Sequence, residues 1–307
     1  MRKIRNRIFY AIRPFMPRKI QINLRRYIAT KKYKKYQHIW PIDPKAAIKP
    51  MGWQGWPDEK KFALVLSHDV DTQKGHDSVM KLLEIEEKLG FKSSFNFVPE
   101  RYNLSNELIR HVRERGFQVC VHGLKHDGKL FRNRQIFNER AKKINYYLKE
   151  WQAVGFTSPS MHHNLEWMHI LDILHSTSTF DTDPFEPQPD SIRTIYPFLI
   201  SNSRRKYGGY IELPYTIPQD HLLFIILKQN NIRIWEKKLD WIAEKNGMAL
   251  LNTHSDYMRF DDGKLALEEY PVEYYIKFLR YVKENYASEY WQALPRDVMR
   301  FWNKNMK

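Results

Sequence analysis

Short apolar segments alternate with segments of helical periodicity through most of this chain, and the alternation restricts the folds it can adopt. Seven segments are predicted as strands: Phe62–Ser67, Ser93–Val98, Phe117–Val121, Val154–Thr157, Ser178–Asp181, Tyr210–Leu213 and Met248–Asn252. Apolar residues at helical spacing predict helices at His76–Leu89, Ser105–Arg115, Asn133–Trp151, Leu165–His175, Ile232–Asn246 and Val272–Tyr286. Strands that alternate with helices form parallel sheets, because a crossover between parallel strands has room for a helix. The sequence therefore predicts an α/β fold, and for one large domain of this size a barrel.

The positive charge of the chain is concentrated in its first 40 residues. Residues 1–40 contain 13 Lys or Arg and no Asp or Glu, whereas residues 41–307 contain 38 basic and 35 acidic residues. The formal net charge of +16 therefore belongs mainly to an arm, and the rest of the chain is nearly neutral. We predict two parts, a basic amphipathic arm at residues 1–45 and a globular domain at residues 58–307.

The arm carries apolar residues at helical spacing on either side of two prolines, Pro14 and Pro17, which separate two helices. These apolar residues are Ile4, Ile8, Ile12, Phe15, Ile20, Leu24, Tyr27 and Ile28. No secretory leader and no membrane span of about 20 apolar residues are recognisable. Two interpretations stay open: the helices lie on an anionic membrane surface, or their apolar stripe packs on the domain and the charges face water. Nucleic acid is a weaker third option, and the expected location is cytoplasmic, with the inner membrane face as the site of any peripheral attachment.

Polar residues gather where the predicted strands end, and histidines are frequent among them. His122 and His126 are four residues apart, a spacing that on a helical turn places both imidazoles on one face. Asp71 could add a carboxylate ligand, Asp69 would then be free to accept a proton, and His254 follows another strand. The single cysteine, Cys120, excludes a disulfide framework and a cysteine-rich zinc site. The pattern predicts a site with two histidines and one carboxylate, the alternative being unrelated polar side chains at strand ends.

These residues resemble the motifs of the polysaccharide deacetylases, also called the NodB-homology family or carbohydrate esterase family 4. The resemblance runs from Phe62 to Tyr257 and rests on four segments, Ser67–Asp71, His122–His126, Phe156–Pro159 and Leu250–His254. It implies a distorted (β/α)7 barrel and one divalent metal ion, commonly Zn2+. It also implies that the chain is a hydrolase that removes an acetyl group from an N-acetylated sugar in a polysaccharide or its lipid-linked precursor.

The same resemblance assigns a role to each matching residue. Asp71, His122 and His126 are the implied metal ligands, Asp69 the catalytic base and His254 the catalytic acid. A water molecule activated by the metal would attack the acetyl carbonyl while Asp69 accepts its proton. Protonated His254 would then donate a proton to the departing nitrogen.

The chain departs from the family pattern at three positions. Thr157 stands where the family has an arginine that positions the base, and Gly123 and Asp127 replace the usual residues after the two histidines. Two alternatives therefore stay open. The chain could be a catalytically impaired metal- or carbohydrate-binding member of the fold that acts in polysaccharide assembly, or it could hydrolyse a different amide.

Further residues near these motifs are candidates for substrate contacts. His162 and His163 could touch the substrate or could only bond loop backbone. Asp181 and Asp183 are assigned to substrate binding as well, and either could orient His254. Trp53 and Trp56 could stack on sugar rings, although two tryptophans so close together more often close one end of a barrel.

Overall fold

Seven parallel strands form a ring around the buried core in the computed structural model, which describes residues 16–205 and 208–306. They belong to a curled nine-stranded sheet with two further strands, and a separate two-stranded sheet lies outside it. In chain order the strands are β1 Phe62–Val70, β2 Ser94–Phe97, β3 Gln118–His122, β4 Gly155–Thr157, β5 His175–Ser176, β6 Phe198–Ser201, β7 Gly209–Glu212, β8 Met248–His254, β9 Met258–Arg259, β10 Tyr270–Pro271 and β11 Tyr290–Gln292.

The ring follows the order β8, β1, β2, β3, β4, β5 and β7, with every neighbouring pair parallel. A short bridge between Ile217, just after β7, and Leu251 in β8 closes it. β6 pairs antiparallel with β7, and β11 extends β1 at its amino-terminal end. The predicted distorted (β/α)7 barrel is confirmed.

Helices cover the outside of the ring and supply the other half of the core. They are α1 Arg18–Tyr36, α2 Gln73–Lys88, α3 Asn106–Glu114, α4 Arg134–Glu150, α5 Arg233–Glu244, α6 Glu273–Asn285 and α7 Pro295–Asn305. Five of them agree with the predicted helices to within a few residues, because their apolar faces are strongly periodic. In α2, for example, Val79, Leu82 and Leu83 are fully buried.

Two predicted elements are wrong. The segment 165–175 forms only a single 3₁₀ turn, Trp167–Ile170, and then runs toward β5, with buried Leu171 and Ile173 alternating with less buried neighbours as in an extended chain. The segment 178–181 forms only an isolated bridge, Phe180 to Tyr215, and not a strand, because the backbone N–H groups of Ser178 and Thr179 donate to the Glu212 carboxylate. Short apolar runs fit both the helical and the strand periodicity. Whether such a run becomes a strand therefore depends on the neighbouring strand with which it can pair.

Residues 16–45 of the basic arm are described, and most of them form the long helix α1. It rests on the barrel through Ile22 and Ala29, which are buried, and on the π-helical segment His221–Ile226. The predicted stripe faces away from the barrel, since Ile20 is 53% exposed, and Leu24, Tyr27 and Ile28 are 41%, 59% and 39% exposed. For Ile20, Leu24 and Tyr27 the interpretation that the stripe packs on the domain is wrong, whereas Ile28 also lines a cavity between α1 and the barrel. Ile4, Ile8, Ile12 and Phe15 lie outside the described residues. Among the described helices, none is long and apolar enough to cross a membrane.

Trp53 and Trp56 lie at the amino-terminal end of the barrel, opposite the strand ends that carry the polar clusters. Trp56 donates from Nε1 to the carbonyl of Asn246, which precedes β8, at 2.9 Å. Both tryptophan rings contact Phe301 and Trp302 of α7. They close this end of the barrel, and the idea that they stack on a sugar at the candidate site is wrong.

Candidate active site

The register of the central strands brings three polar residues side by side at the carboxyl-terminal edge of the barrel. β1 lies between β8 and β2, with Asp69 directly opposite His254 on one side and Asn96 on the other. Residues in register on parallel strands point to the same face of the sheet. The implied base and acid are therefore neighbours, although 185 positions of sequence separate them.

Asp71, His122 and His126 form a compact cluster that fits a metal ion. Asp71 Oδ1 lies 3.3 Å from His122 Nε2 and 3.2 Å from His126 Nε2, and one ligand atom from each residue lies within 4.8 Å of the others. Two ligand atoms bound to the same tetrahedral zinc ion are about 3.4 Å apart. Asp71 Oδ1 is also buried and accepts no hydrogen bond from the described residues. A divalent cation would bind this otherwise unpaired buried oxygen, so the three side chains fit a metal ion.

The charges of the cluster favour a cation at the same point. Burial acts to raise the pKa of Asp71, but the imidazoles of His126 and His122 hold it well below its usual range, so the carboxylate is ionised. Burial lowers the pKa of His126 to about 4, which keeps this imidazole neutral, as a metal ligand must be. Burial also acts to lower the pKa of His122, but the Asp69 and Asp71 carboxylates raise it overall, so the pocket attracts positive charge.

Each histidine is held by a different part of the backbone. His122 ends β3, and its Nδ1 lies 3.1 Å from the carbonyl oxygen of Thr157 in β4, which accepts the Nδ1 proton and leaves Nε2 free to bind. His126 follows in a loop with φ of +50°. The predicted helical turn is therefore wrong, although the two rings do meet, with centroids 5.1 Å apart. Arg140 of α4 holds the loop by donating two hydrogen bonds of 2.7 Å to Asp127.

The glycine after the first histidine is required by its neighbour. Gly123 has φ of +64°, and a Cβ atom placed on it would lie 2.3 Å from the ring of Pro159. No larger side chain fits this position without moving the proline. The departures at Gly123 and Asp127 are therefore matched by contacts elsewhere in the fold, with Pro159 and with Arg140.

Two asparagines hold the Asp69 carboxylate where the family has an arginine. Asn96 donates to Asp69 Oδ1 at 2.7 Å, and Asn252 of β8 donates to Asp69 Oδ2 at 3.0 Å. The hydroxyl of Thr157 instead lies 2.6 Å from that of Thr177. Sequence reasoning missed both asparagines. The available signal was a lone amide in the apolar strand Ser94–Phe97 and the asparagine within Leu250–His254.

We expect Asn96→Ala and Asn252→Ala each to lower kcat by about 10–100-fold, since each removes one hydrogen bond to a buried charge. Metal content, measured on the same samples, should stay equal to that of the unsubstituted chain. The exposed Asn138→Ala on α4 is the control and should change neither quantity. Thr157→Arg should not raise activity, because Thr157 is 1% exposed and offers no room for a long side chain. Unchanged kcat in both asparagine variants would contradict this role.

His254 is oriented by Asp220, a residue the sequence analysis did not single out. His254 Nδ1 lies 2.7 Å from Asp220 Oδ1, and the backbone N–H of His254 donates to Asp220 Oδ2 at 2.8 Å. The hydroxyl of Tyr270 donates to the same carboxylate at 3.0 Å. The idea that Asp181 or Asp183 orients His254 is wrong. The signal for Asp220 was faint: one acidic residue just before the aliphatic run Leu222–Leu227.

The Asp220 carboxylate keeps His254 protonated. Burial acts to lower the pKa of His254, but Asp220, followed by Asp69 and Asp71, raises it to about 10. A proton donor must carry its proton at the working pH, so this imidazolium can serve as the acid over the neutral range. His254 Nε2 lies 3.8 Å from Asp69 Oδ2, which is also 3.8 Å from His122 Nε2. The Asp69 carboxylate thus lies between the cluster of Asp71, His122 and His126 and the candidate acid His254.

We expect Asp220→Asn to move the alkaline limb of the pH profile of kcat/KM to lower pH by at least about one unit. The limb moves to lower pH because only the imidazolium form of His254 can donate a proton. Losing the neighbouring carboxylate lowers the pKa of His254, so the imidazolium is lost at a lower pH. At fixed alkaline pH the rate should therefore fall more than at pH 6. The exposed Asp262→Asn should leave the profile unchanged. If Asp220→Asn lowered kcat/KM by the same factor at every pH and left the alkaline limb where it is, the electrostatic role of Asp220 would be contradicted.

The four residues assigned to substrate contacts are Asp181, Asp183, His162 and His163, and the structure gives three of them partners within the fold. Asp181 forms a buried ion pair with Lys238 at 2.5 Å, and Asp183 Oδ1 accepts the backbone N–H of Phe185 at 2.7 Å. His163 Nε2 lies 3.2 Å from Asp190 Oδ2. Both aspartates line a cavity beside the centre, whereas neither His163 nor His162 lines the two cavities described near it. Their role in binding stays a prediction.

No family model matches this sequence, and no curated protein matches it. Solved structures share its fold at low identity. A protein from Mycobacterium smegmatis assigned to the polysaccharide deacetylases matches with a TM-score of 0.62 and 15% identity, over 83% of this chain and 94% of its own. One from Pseudomonas aeruginosa PAO1 with the same assignment matches with a TM-score of 0.61 and 15% identity, over 86% and 98%. The Puue allantoinase matches with a TM-score of 0.62 and 14% identity, over 86% and 98%. The chain therefore has a NodB-like polysaccharide deacetylase fold, the fold that its motifs predicted.

Proposed function

We propose that this chain is a metal-dependent hydrolase that releases acetate from an N-acetylated sugar, in a polysaccharide or its lipid-linked precursor. One observation carries the proposal. A cluster of two histidines and a carboxylate shaped for a cation lies beside a fixed carboxylate and a protonated histidine, each 3.8 Å from the next. Hydrolysis of an unactivated amide needs these three functions together: an electrophile, a base and an acid.

Asp71, His122 and His126 would hold the cation, and the donor set of two imidazoles and one carboxylate suits Zn2+. When bound, the ion would polarise the acetyl carbonyl and lower the pKa of water. The Thr157 carbonyl fixes the tautomer of His122 for this task. The backbone N–H of Asp71 donates to Asp256 Oδ2 at 2.9 Å, and this hydrogen bond fixes the position of Asp71 beside the two histidines.

The remaining steps belong to residues of the chain itself. Asp69, held by Asn96 and Asn252, accepts one proton as a water oxygen forms a bond to the acetyl carbon. His254 Nε2, held by Asp220, gives its proton to the sugar nitrogen as the carbon–nitrogen bond breaks. The products are acetate and a free amino sugar. Transfer of the proton from Asp69 to His254, directly or through solvent, restores the starting state.

The direct test is acetate release from an N-acetylglucosamine tetramer by the full chain loaded with zinc. Acetate and free amine should appear in equal amounts, and a chelator should stop the reaction. Mass spectrometry should show the loss of one acetyl group for each acetate formed. Acetate at the level of a protein-free control, at any metal loading, would overturn the proposed substrate class.

A second candidate activity is hydrolysis of another amide, and the structural likeness to the Puue allantoinase favours testing it. The TM-score to that protein is 0.62, equal to that of the deacetylase from Mycobacterium smegmatis. Allantoin is therefore the matched alternative substrate in the same assay. Ring opening of allantoin without acetate release from the sugar would replace the deacetylase proposal with this one.

A further inference from the structure

We infer that the outer face of α1 is a docking surface for an anionic lipid bilayer, and we name this outer face the docking face. Its centre is formed by Ile20, Leu24 and Tyr27, each at least 41% exposed. These residues recur at intervals of four and three, so they lie on one side of the helix. Buried Ile22 and Ala29 occupy the opposite side, against the barrel. The apolar stripe is thus displayed to the exterior of the molecule.

The charge around the stripe is of one sign. α1 contains eight Lys or Arg and no Asp or Glu. Four of its exposed lysines point away from the barrel on or beside the docking face: Lys19, Lys31, Lys34 and Lys35. An apolar stripe flanked by lysines is the pattern of helices that lie in the plane of a membrane interface, with the stripe among the acyl chains and the ammonium groups at the headgroups.

The helix is held firmly enough to present this face. Arg18 Nε donates to Glu268 Oε2 at 2.7 Å, and Arg26 Nε donates to the Ile225 carbonyl at 3.0 Å. Lys32 Nζ donates to the Pro184 carbonyl at 2.7 Å. These bonds hold Arg18, Arg26 and Lys32 against the barrel, whereas the four outer lysines are exposed, with Lys31 Nζ 4.4 Å from the centre of the Tyr27 ring on the docking face. The docking face is therefore a fixed surface on the folded barrel.

A bilayer fits this surface better than a second copy of the chain. Two copies joined symmetrically through this face would bring eight lysines together without a single acidic residue of α1 between them. Anionic headgroups neutralise the same lysines, and each lysine near such a surface increases partitioning about fivefold. The apolar centre is also difficult to reconcile with nucleic acid, which offers phosphates at its surface.

Docking would place the candidate active site at the membrane. The inner side of α1 lines a cavity of about 120 Å³, together with Phe185, Glu186 and His221. Burial raises the pKa of Glu186 to about 7, and Arg25 and then His254 oppose the rise, so this carboxyl lies within electrostatic reach of the acid. Since a helix is about 10 Å across, the cavity would lie within roughly one helix diameter of the headgroups.

The test is sedimentation of the full chain with vesicles, measured without substrate, so that its failure leaves the hydrolase proposal untouched. Vesicles of phosphatidylglycerol and phosphatidylcholine in equal parts should bind the chain, and vesicles of phosphatidylcholine alone should bind it far more weakly. Substituting Ile20→Ser, Leu24→Ser and Tyr27→Ser together should lower the partition coefficient by about 30-fold or more. Equal sedimentation of this variant and the unsubstituted chain would overturn the inference.

A matched control distinguishes binding through the docking face from nonspecific binding through exposed apolar residues elsewhere on the protein. Ile48, Met51 and Leu265 are exposed elsewhere, at 74%, 96% and 44%, and their combined replacement by Ser should leave binding unchanged.

A second pair of variants tests the charge. Replacing Lys31, Lys34 and Lys35 with Gln should lower binding to anionic vesicles by about 100-fold at low salt. Replacing the exposed Lys142, Lys149 and Lys237 with Gln should have little effect on binding to the same vesicles. A dimer in vesicle-free sedimentation that the serine variant abolishes would assign the face to self-association instead, and would also overturn the inference.

Discussion

His126→Ala should purify with less than about one tenth of a metal ion per chain, whereas the unsubstituted chain should hold about one. The reason is that His126 Nε2 and His122 Nε2 are the two nitrogen donors around Asp71 Oδ1, and a cation held by one imidazole and one carboxylate is bound far more weakly. Acetate release should fall by about 10³-fold or more, because the electrophile is lost. Elemental analysis and the acetate assay on the same preparation measure the two effects.

Two further variants make this result interpretable. His126 has φ of +50°, so His126→Gly removes the ligand while favouring the same loop conformation. It should lose metal and activity as fully as His126→Ala does, with an unchanged thermal unfolding midpoint in the absence of metal. His111→Ala, at an exposed position of α3, should keep both metal and activity. Equal metal content in all four proteins would show that the histidine pair is not the metal site.

Asp69→Asn should keep the metal ion and still lose activity by about 10²–10⁴-fold, because the proton acceptor is gone while the three ligands stay. This separation of binding from turnover distinguishes the hydrolase from a protein that only binds metal or carbohydrate. A background acetate release that the substitution leaves unchanged would favour the binding protein, the alternative raised by the missing arginine. Rates at saturating substrate, with metal content measured in parallel, decide between them.

The hydrogen bonds at Asp69 call for a companion variant. Both oxygens of Asp69 accept from asparagine side chains, so an amide at position 69 must turn its NH₂ group toward another NH₂ donor. Asp69→Ala avoids that clash and should show the same loss of turnover. If Asp69→Ala were active and Asp69→Asn inactive, the loss would come from the clash and not from the missing base.

Local sequence determined the parts of this protein that depend on near neighbours in the chain. The periodicity of α2 and α4 and the apolar runs of β1 and β8 match the structure, because burial of one face follows directly from spacing along the helix or strand. The candidate ligands His122 and His126 and the strand end that holds Asp69 and Asp71 were also recognisable, since each pair is separated by only a few residues.

Tertiary structure alone decided which distant residues hold Asp69 and His254 in place. Asn96, Asn252 and Asp220 reach their partners across neighbouring strands and loops, and only the register Asp69↔Asn96 and Asp69↔His254 makes these contacts possible. The same holds for α1, whose apolar residues could equally have faced the barrel or the exterior. A residue's identity limits what it can bond, but the pairing of strands far apart in sequence determines what lies beside it.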